Sequence, residues 1–425
     1  MAIRIVTAGE MRREQIQCTE DEWRSIRRYA LPPGFRYLVS ADQAVIGPVL
    51  LFLYARCVKS ARVASVGNSQ KAFCDDLYEW FSFLVVVGLA WDEVVFSDLT
   101  QYREALMSTP SPLTKRKYKL STIRRRLQTI SKFYRWAYRN RLCDDLFEAD
   151  PEDVLEVACN APARGNEEGK YKEFSDDDLI PREDGTDSVD AIGIEDLTKI
   201  LGILGPVPQA RVAPQTSVYR LAASLSVGTG MRLDEITNLT VLDILNLRPR
   251  GWQGSVPMLI TKTKGMKPRR VFIPLPIYED IKEYIAGERA ECVLGRPKTL
   301  ALFVNRSDSH RNPGRPLTNH TLWRNFRKAV LQAGLTYVEA IEWNGSQELI
   351  TVARHHFHDL RHTYAAVMYQ QLVRRGKSAP WLVLSRLLGH AHVSTTIKIY
   401  LRSVDGMEAE VSDALNDYMR RLRGG

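Results

Sequence analysis

Long apolar runs, paired cysteines and phosphate-binding glycine loops are all missing from this chain of 425 residues. The most apolar stretch, Phe81 to Trp91, is broken by Ser82 and Gly88 and falls short of the roughly 18 residues that read as a membrane span, so it reads as a core helix. The opening residues MAIRIVTAGEMRREQ lack the continuous apolar segment and small-residue cleavage site of a secretory signal, and a cytoplasmic location is expected. Six cysteines, Cys18, Cys57, Cys74, Cys143, Cys159 and Cys292, form no Cys-x-x-Cys pair and suggest neither a zinc knuckle nor a disulfide framework. There is no Walker A sequence, no repeat of 20 to 50 residues and no low-complexity tract of note.

What is present is ordinary in amount and unusual in placement. Hydrophobic residues at 44% and charged residues at 26% describe a globular chain, long enough for two domains and an extension. The formal net charge of +9 favours a polyanionic partner, either nucleic acid or an anionic membrane.

Residues 1–45 mix charges around a Pro32-Pro33-Gly34 break and read as an N-terminal extension. Residues 46–150 read as helical. Phe73, Leu77, Trp80, Phe81 and Leu84 recur at helical spacing after a candidate Ser69 cap, with Gly88 as the stop, and a short helix is expected to begin at Ser97. A third helix, from about Ser121 to Asn140, aligns Ile123, Leu127, Ile130, Tyr134 and Ala137 on one face. That helix and its leader, residues 111–141, hold Lys115, Arg116, Lys117, Lys119, Arg124, Arg125, Arg126, Lys132, Arg135, Arg139 and Arg141 and no Asp or Glu. A merely solvated face usually mixes signs, because unrelieved like charge destabilises a helix, so phosphate contact is the preferred reading.

The balance then inverts. Glu167, Glu168, Glu173, Asp176, Asp177, Asp178, Glu183, Asp184, Asp187 and Asp190 lie among Gly, Pro and polar residues, and residues 151–190 read as an acidic linker or insertion that loops away from phosphates. From 191 to 425, helical segments surround one clear β-hairpin, VPMLITKTK, a turn at Gly265 to Pro268, then RRVFIPL.

Five places in this second half can do chemistry. Arg232 follows Gly228-Thr229-Gly230 where a helix restarts, a position suited to a phosphate; Glu235, one turn on, either orients it or faces solvent. Lys264, with Lys262 as the alternative register, sits beside the hairpin turn, and an ammonium can give up a proton where a guanidinium cannot. In HHFHDLRHTYAA, His358 and Arg361 are three apart on one helix face. His358 and His362 also have metal-ligand spacing, but the glutamate of His-Glu-x-x-His and a third ligand are lacking, so no metal is assigned; Tyr364 reads as core. In LSRLLGHAHVSTTIKIYLRS, His390 follows a Leu-Leu-Gly helix ending and Tyr400 lies ten residues downstream. Taken alone, Tyr400 reads as a packing residue.

Taken in order, GTGMRLDEI, the basic hairpin, HDLRHTYAA and LLGHAHVSTT resemble the local motifs of the tyrosine recombinases, also called phage integrases. The resemblance covers residues 191–425 and extends more loosely to 46–150. It implies a mainly α fold with a small β-hairpin or sheet: a helical, SAM-like core-binding domain and an α+β tyrosine recombinase catalytic domain with a C-terminal helix. It implies site-specific recombination, that is integration, excision or transposition of double-stranded DNA, with no cofactor and no metal. Tyr400 would be the nucleophile, Arg232 and Arg361 the phosphate clamp, His390 a hydrogen-bond donor, Lys264 the proton donor and His358 an aid to proton transfer. Lys115, Arg116, Lys117, Lys119, Arg124, Arg125, Arg126 and Arg135 would grip DNA. The implied assembly is a homotetramer on DNA, with other recombinases as further candidate partners. The apolar stripe Met407, Val411, Leu415, Tyr418 and Leu422 would dock on a neighbouring subunit or pack on its own domain. Type IB topoisomerase-like relaxation and a catalytically silent DNA-binding accessory role are the alternative readings.

Overall fold

The computed structural model describes residues 2–12, 18–59, 67–112, 114–147, 176–181, 191–209, 215–248, 254–261, 268–296, 298–309, 312–343, 346–390 and 393–400. The chain divides into two compact units, Met1–Asp184 with Ile341–Glu348, and Gly185–Ala340 with Leu349–Gly425.

The first unit opens with a two-stranded antiparallel ribbon, β1 (Arg4–Thr7) and β2 (Arg36–Val39), in the register Arg4↔Val39 to Thr7↔Arg36, with α1 (Glu20–Tyr29) between its strands. Thr19 and Glu22 form a capping box at the start of α1. Then follow α2 (Gly47–Tyr54), α3 (Asn68–Val87), α4 (Phe96–Ser108), α5 (Leu120–Arg139) and the short α6 (Asp176–Leu179). The apolar stripes expected in the sequence are the ones that meet: Leu77, Trp80, Phe81 and Leu84 of α3 pack on Ile123, Leu127, Ile130 and Tyr134 of α5, with Phe52 of α2 and Tyr102 of α4 completing the core. α3 begins at Asn68 after Gly67 rather than at Ser69, and it stops at Gly88, whose φ of 75° is the left-handed conformation that ends a helix. Residues 1–45, read from the sequence as an extension, contribute Ile3, Phe35 and Leu38 to this same core. The Gln70 side chain holds them there by bonding both the N–H (3.3 Å) and the carbonyl (2.5 Å) of Arg36. Leu179 of the acidic segment is buried in this unit too, and Arg103 donates to the carbonyl of Asp178 at 3.0 Å.

In the second unit, α7 (Ile194–Leu204), α8 (Val218–Thr229), α9 (Leu233–Thr237) and α10 (Val241–Leu245) precede the hairpin of β3 (Ser255–Ile260) and β4 (Arg269–Pro274). Its register runs from Ser255↔Pro274 to Ile260↔Arg269, so Val256, Met258, Val271 and Ile273 face the core while Leu259 and Phe272 face out. Next come α11 (Leu275–Tyr284), α12 (Ala290–Val293) and α13 (Asn319–Gln332), whose Leu322, Phe326 and Val330 join Leu221 and Leu225 of α8 in the main core. A second hairpin, β5 (Thr336–Trp343) with β6 (Ser346–Ala353), corrects the expectation of one hairpin in this half. Its signal was present, since Asn344-Gly345 between β-branched residues is a strong two-residue turn sequence. The described chain ends with α14 (Asp359–Arg374), α15 (Pro380–Leu388) and α16 (Val393–Tyr400). Tyr364, Ala365, Leu384 and Leu388 form a smaller cluster between α14 and α15. Among the described residues, no helix is long and apolar enough to cross a membrane.

Candidate active site

Four helix ends of the second unit build the site. α8 stops at Gly230, whose φ of 67° is left-handed; a Cβ there would stand 2.5 Å from the ring of Tyr364. The chain restarts immediately, and Arg232 is the residue that caps α9. α15 stops at Gly389, also left-handed at 68°, where a Cβ would stand 2.5 Å from Cδ of Arg269, and His390 follows at once. His358 caps α14, and Arg361 lies in its first turn.

Arg361 joins these ends. Its side chain is 1% exposed, and it donates through Nη1 to the Gly230 carbonyl and through Nη2 to the Leu388 carbonyl, both at 2.5 Å. Those carbonyls lie at the electron-rich ends of α8 and α15, where a cation is favoured. Nη2 also stands 3.3 Å from Nε2 of His390. The other ring nitrogen of His390, Nδ1, is 2.8 Å from Oγ1 of Thr396 on α16.

Arg232 is positioned from below by Glu235. The carboxylate accepts from the Arg232 backbone N–H at 2.8 Å and from its Nη1 at 3.1 Å, and it receives Nη2 of Arg269 from β4 at 2.5 Å. Arg269 in turn donates to the Leu387 carbonyl. Glu235 is 3% exposed, which decides between the two sequence readings in favour of orientation. Burial by itself would raise its carboxyl, but the charge and hydrogen bond of Arg269, then the N–H and charge of Arg232, hold it below the usual glutamate range.

The histidines share a cationic, half-dry setting. The rings of His358 and His362 meet edge to face with centroids 4.7 Å apart. Burial first, then Arg361 and Arg232, lowers His358. Burial, then His358, Arg361 and His390, brings His362 to about 3. Burial, then Arg361, Arg232, Arg269 and His358, brings His390 to about 4. His358 and His390 are therefore weak bases that stay neutral at neutral pH, open to accept a proton or to switch the nitrogen that carries one.

Of the six candidate catalytic residues, Arg232, His358, Arg361 and His390 converge in this way. Lys264 lies outside the described residues, as do Lys262 and the stripe from Met407 to Leu422. Tyr400 is the last residue of α16, one turn beyond Thr396, and its side chain lies outside the described set. Sequence reasoning did not single out Arg269 or Thr396. The period-two pattern that turns Val271 and Ile273 inward also turns Arg269 inward, so Arg269 had a signal in the sequence.

The basic helix of the first unit bonds several of its guanidinium groups within the unit. Arg126, expected to touch DNA, is 9% exposed, stacks on the Tyr118 ring with its carbon 4.5 Å from the centroid, and pairs with Glu79 at 3.6 Å. Arg125 donates to the buried carboxylate of Asp76 at 2.6 Å, which Thr129 also reaches at 2.8 Å. Arg124 donates to the Pro181 carbonyl, and Arg135 lies 4.1 Å over the Phe147 ring. These four guanidinium groups hold the unit together. Lys115 pairs with Glu348 at 3.3 Å, Arg116 is half-buried, and Lys117 and Lys119 are exposed.

Comparison with known proteins points to a family and a fold. Residues 196–406 match the family model described as the phage integrase family. The chain is similar to the tyrosine recombinase XerC of Lactobacillus delbrueckii subsp. bulgaricus, 26% identical over 308 residues covering 72% of this chain and 78% of that protein. It is also similar to the tyrosine recombinase XerA of Pyrococcus furiosus, 28% identical over 183 residues covering 43% of this chain and 49% of the relative. In fold it is similar to the XerH site-specific recombinase bound to a palindromic difH substrate in a post-cleavage complex, with a TM-score of 0.53, 18% identity, and 88% of this chain and 91% of that one covered.

Proposed function

The chain belongs to the phage integrase family and is a DNA breaking-rejoining enzyme of the tyrosine recombinase type, and from that premise we propose how its residues recombine double-stranded DNA. The hydroxyl oxygen of Tyr400 attacks a backbone phosphorus. The bond from phosphorus to the 5′ oxygen breaks, its electron pair leaves on that oxygen, and a 3′-phosphotyrosine remains. The departing oxygen takes a proton from the ammonium of Lys264, and the tyrosine proton passes to neutral His358. Arg232 and Arg361 offset charge on the non-bridging oxygens, and His390 donates to one of them. Rejoining reverses these steps with the 5′ hydroxyl of a second strand, so the covalent bond conserves the energy of the phosphodiester and no ATP is consumed. Exchange between two duplexes uses four such sites, hence a homotetramer on DNA. Lys117 and Lys119 supply phosphate contacts from the first unit.

The observation that carries this reading is the placement of Arg361, buried between two helix ends, 3.3 Å from His390 and bonded to the carbonyl two residues before Arg232. In this reading Arg361 is fixed in place before the phosphate arrives, so little has to reorganise during the reaction.

The experiment uses a pool of nicked duplexes with randomised sequence, which traps cleaved DNA on the protein because the nicked strand end diffuses away. Complexes surviving SDS are recovered and sequenced, giving the site and the adduct together. Enrichment of one site with the wild-type chain and none with Tyr400→Phe is expected. Equal recovery from both, or no SDS-resistant DNA from either, overturns the proposal.

A further inference from the structure

We propose that the hydroxyl of Thr396 sets which nitrogen of His390 carries the proton and lets that choice change when a phosphate enters, which makes Thr396 a positioning residue of the reaction. The inference rests on the recombinase reading above.

The argument starts from donors and acceptors. A guanidinium has donors and no acceptor, so the Nε2 of His390 that faces Nη2 of Arg361 at 3.3 Å has to present its lone pair. A neutral imidazole has one N–H and one lone pair, and the proton is then on Nδ1. Nδ1 lies 2.8 Å from Oγ1 of Thr396, and that residue is 0% exposed, so no water competes for the contact. The neutral state fits the surroundings, since the groups facing the ring are Arg361, His358 and His362 from α14 and its cap, Arg232 from the start of α9 and Arg269 from β4.

Cleavage asks for the opposite arrangement. To donate to a phosphate oxygen, His390 has to carry hydrogen on Nε2. Either Nε2 takes a proton from solvent while Nδ1 keeps its own and the ring becomes a cation beside the phosphate, or Nε2 takes a proton from solvent while Nδ1 releases its own to solvent and becomes an acceptor. A hydroxyl suits both outcomes, because it accepts from Nδ1–H in one rotamer and donates to a bare Nδ1 in another. A carboxylate at this place would lock hydrogen on Nδ1 and hold the cation, and a methyl would offer nothing. Thr396 also lies in the helix that ends at Tyr400, so one hydrogen bond orients the histidine and ties it to the helix that carries the nucleophile.

The test has two arms. In the full-length protein without DNA, labelled with nitrogen-15 at histidine and assigned by the signal lost in His390→Gln, His390 is expected to show a protonated Nδ1 and a bare Nε2. Thr396→Ser, which keeps the hydroxyl, is expected to retain that spectrum and to cleave the selected nicked duplex within about twofold of wild type in single turnover. Thr396→Val, of nearly the same shape, is expected to lose the single tautomer and to cleave at least roughly tenfold more slowly, the effect of one well-placed hydrogen bond, with duplex affinity within about twofold. Hydrogen on Nε2 in the free wild-type protein overturns the inference. So does Thr396→Val with unchanged spectrum and rate, or Thr396→Ser as slow as Thr396→Val. Should Thr396→Val fail to fold, the wild-type spectrum still decides. Should no duplex be cleaved by any variant, the recombinase reading fails, while the spectrum still reports whether Thr396 sets the tautomer.

Discussion

Replacing Glu235 by Gln keeps the shape of the side chain and removes the charge that Arg232 and Arg269 share. The Arg269 partner is 6% exposed and 2.5 Å away, so its charge would be left in the interior with the Leu387 carbonyl as its remaining acceptor in this network. Removing one member of a buried pair costs about 3–5 kcal/mol, and since the amide keeps one acceptor oxygen, the lower end, about 3 kcal/mol, is expected. The Arg232 pair is more exposed and adds less than about 1 kcal/mol. With a urea slope of about 2–3 kcal/mol per molar, the unfolding midpoint of the second unit should fall by about 1–1.5 M at neutral pH. Arg269→Met should then cost less in the Gln background than in the parent, because the arginine no longer has its counter-ion. The pH dependence has a definite sign. Glu235 has a folded pKa below its ordinary value of 4.5, so its contribution is complete above the unfolded pKa and is lost as pH falls through the lower folded one. The gap between parent and variant should be flat around neutrality and close only in acid. A midpoint shift under about 0.3 M at neutral pH, or a gap that widens on acidification, would refute the reasoning.

Three further outcomes follow from the geometry. Arg126→Met should destabilise the first unit by about 1–3 kcal/mol and leave the salt dependence of DNA binding unchanged, because Arg126 is spent on Glu79 and Tyr118. Lys119→Met should do the reverse, with stability within about 0.5 kcal/mol and the slope of log affinity against log salt reduced by about 0.9; calorimetry and binding titrations at several salt concentrations separate the two, and interchanged results would end the assignment. Gly230→Ala should lower stability by about 2–4 kcal/mol, from the left-handed backbone and the Cβ placed 2.5 Å from the Tyr364 ring. It should also slow cleavage, since the Gly230 carbonyl holds Arg361; a melting temperature equal to wild type would show that the turn relaxes freely.

Much of the scaffold was legible because its signals are local. α3 and α5 announce themselves by helical spacing, and the β3–β4 hairpin by alternation. Each candidate site residue sits in a short motif, so their order was readable even though their meeting was not. The role of Glu235 was not readable, since whether a carboxylate is buried depends here on Arg269, 34 residues away. The internal bonds of the basic helix were hidden for a related reason. Charge counting sums over all faces of a helix, whereas the inward direction of Arg126 is set by Glu79 and Tyr118 on other parts of the unit. Thr396 was overlooked because threonine is common on helices, and its partner in the site is recognisable only once His390 turns toward it.

Arg361 stands under two selections at once. It is the clamp proposed for the phosphate, and it is also the bolt that fastens the ends of α8 and α15. A descendant of this enzyme that had lost its chemistry and kept only its grip on DNA would still be held to this arginine by folding alone. In a genome survey, its presence would certify an intact architecture and say little about turnover. Decay of function would first be visible at positions that the fold does not require.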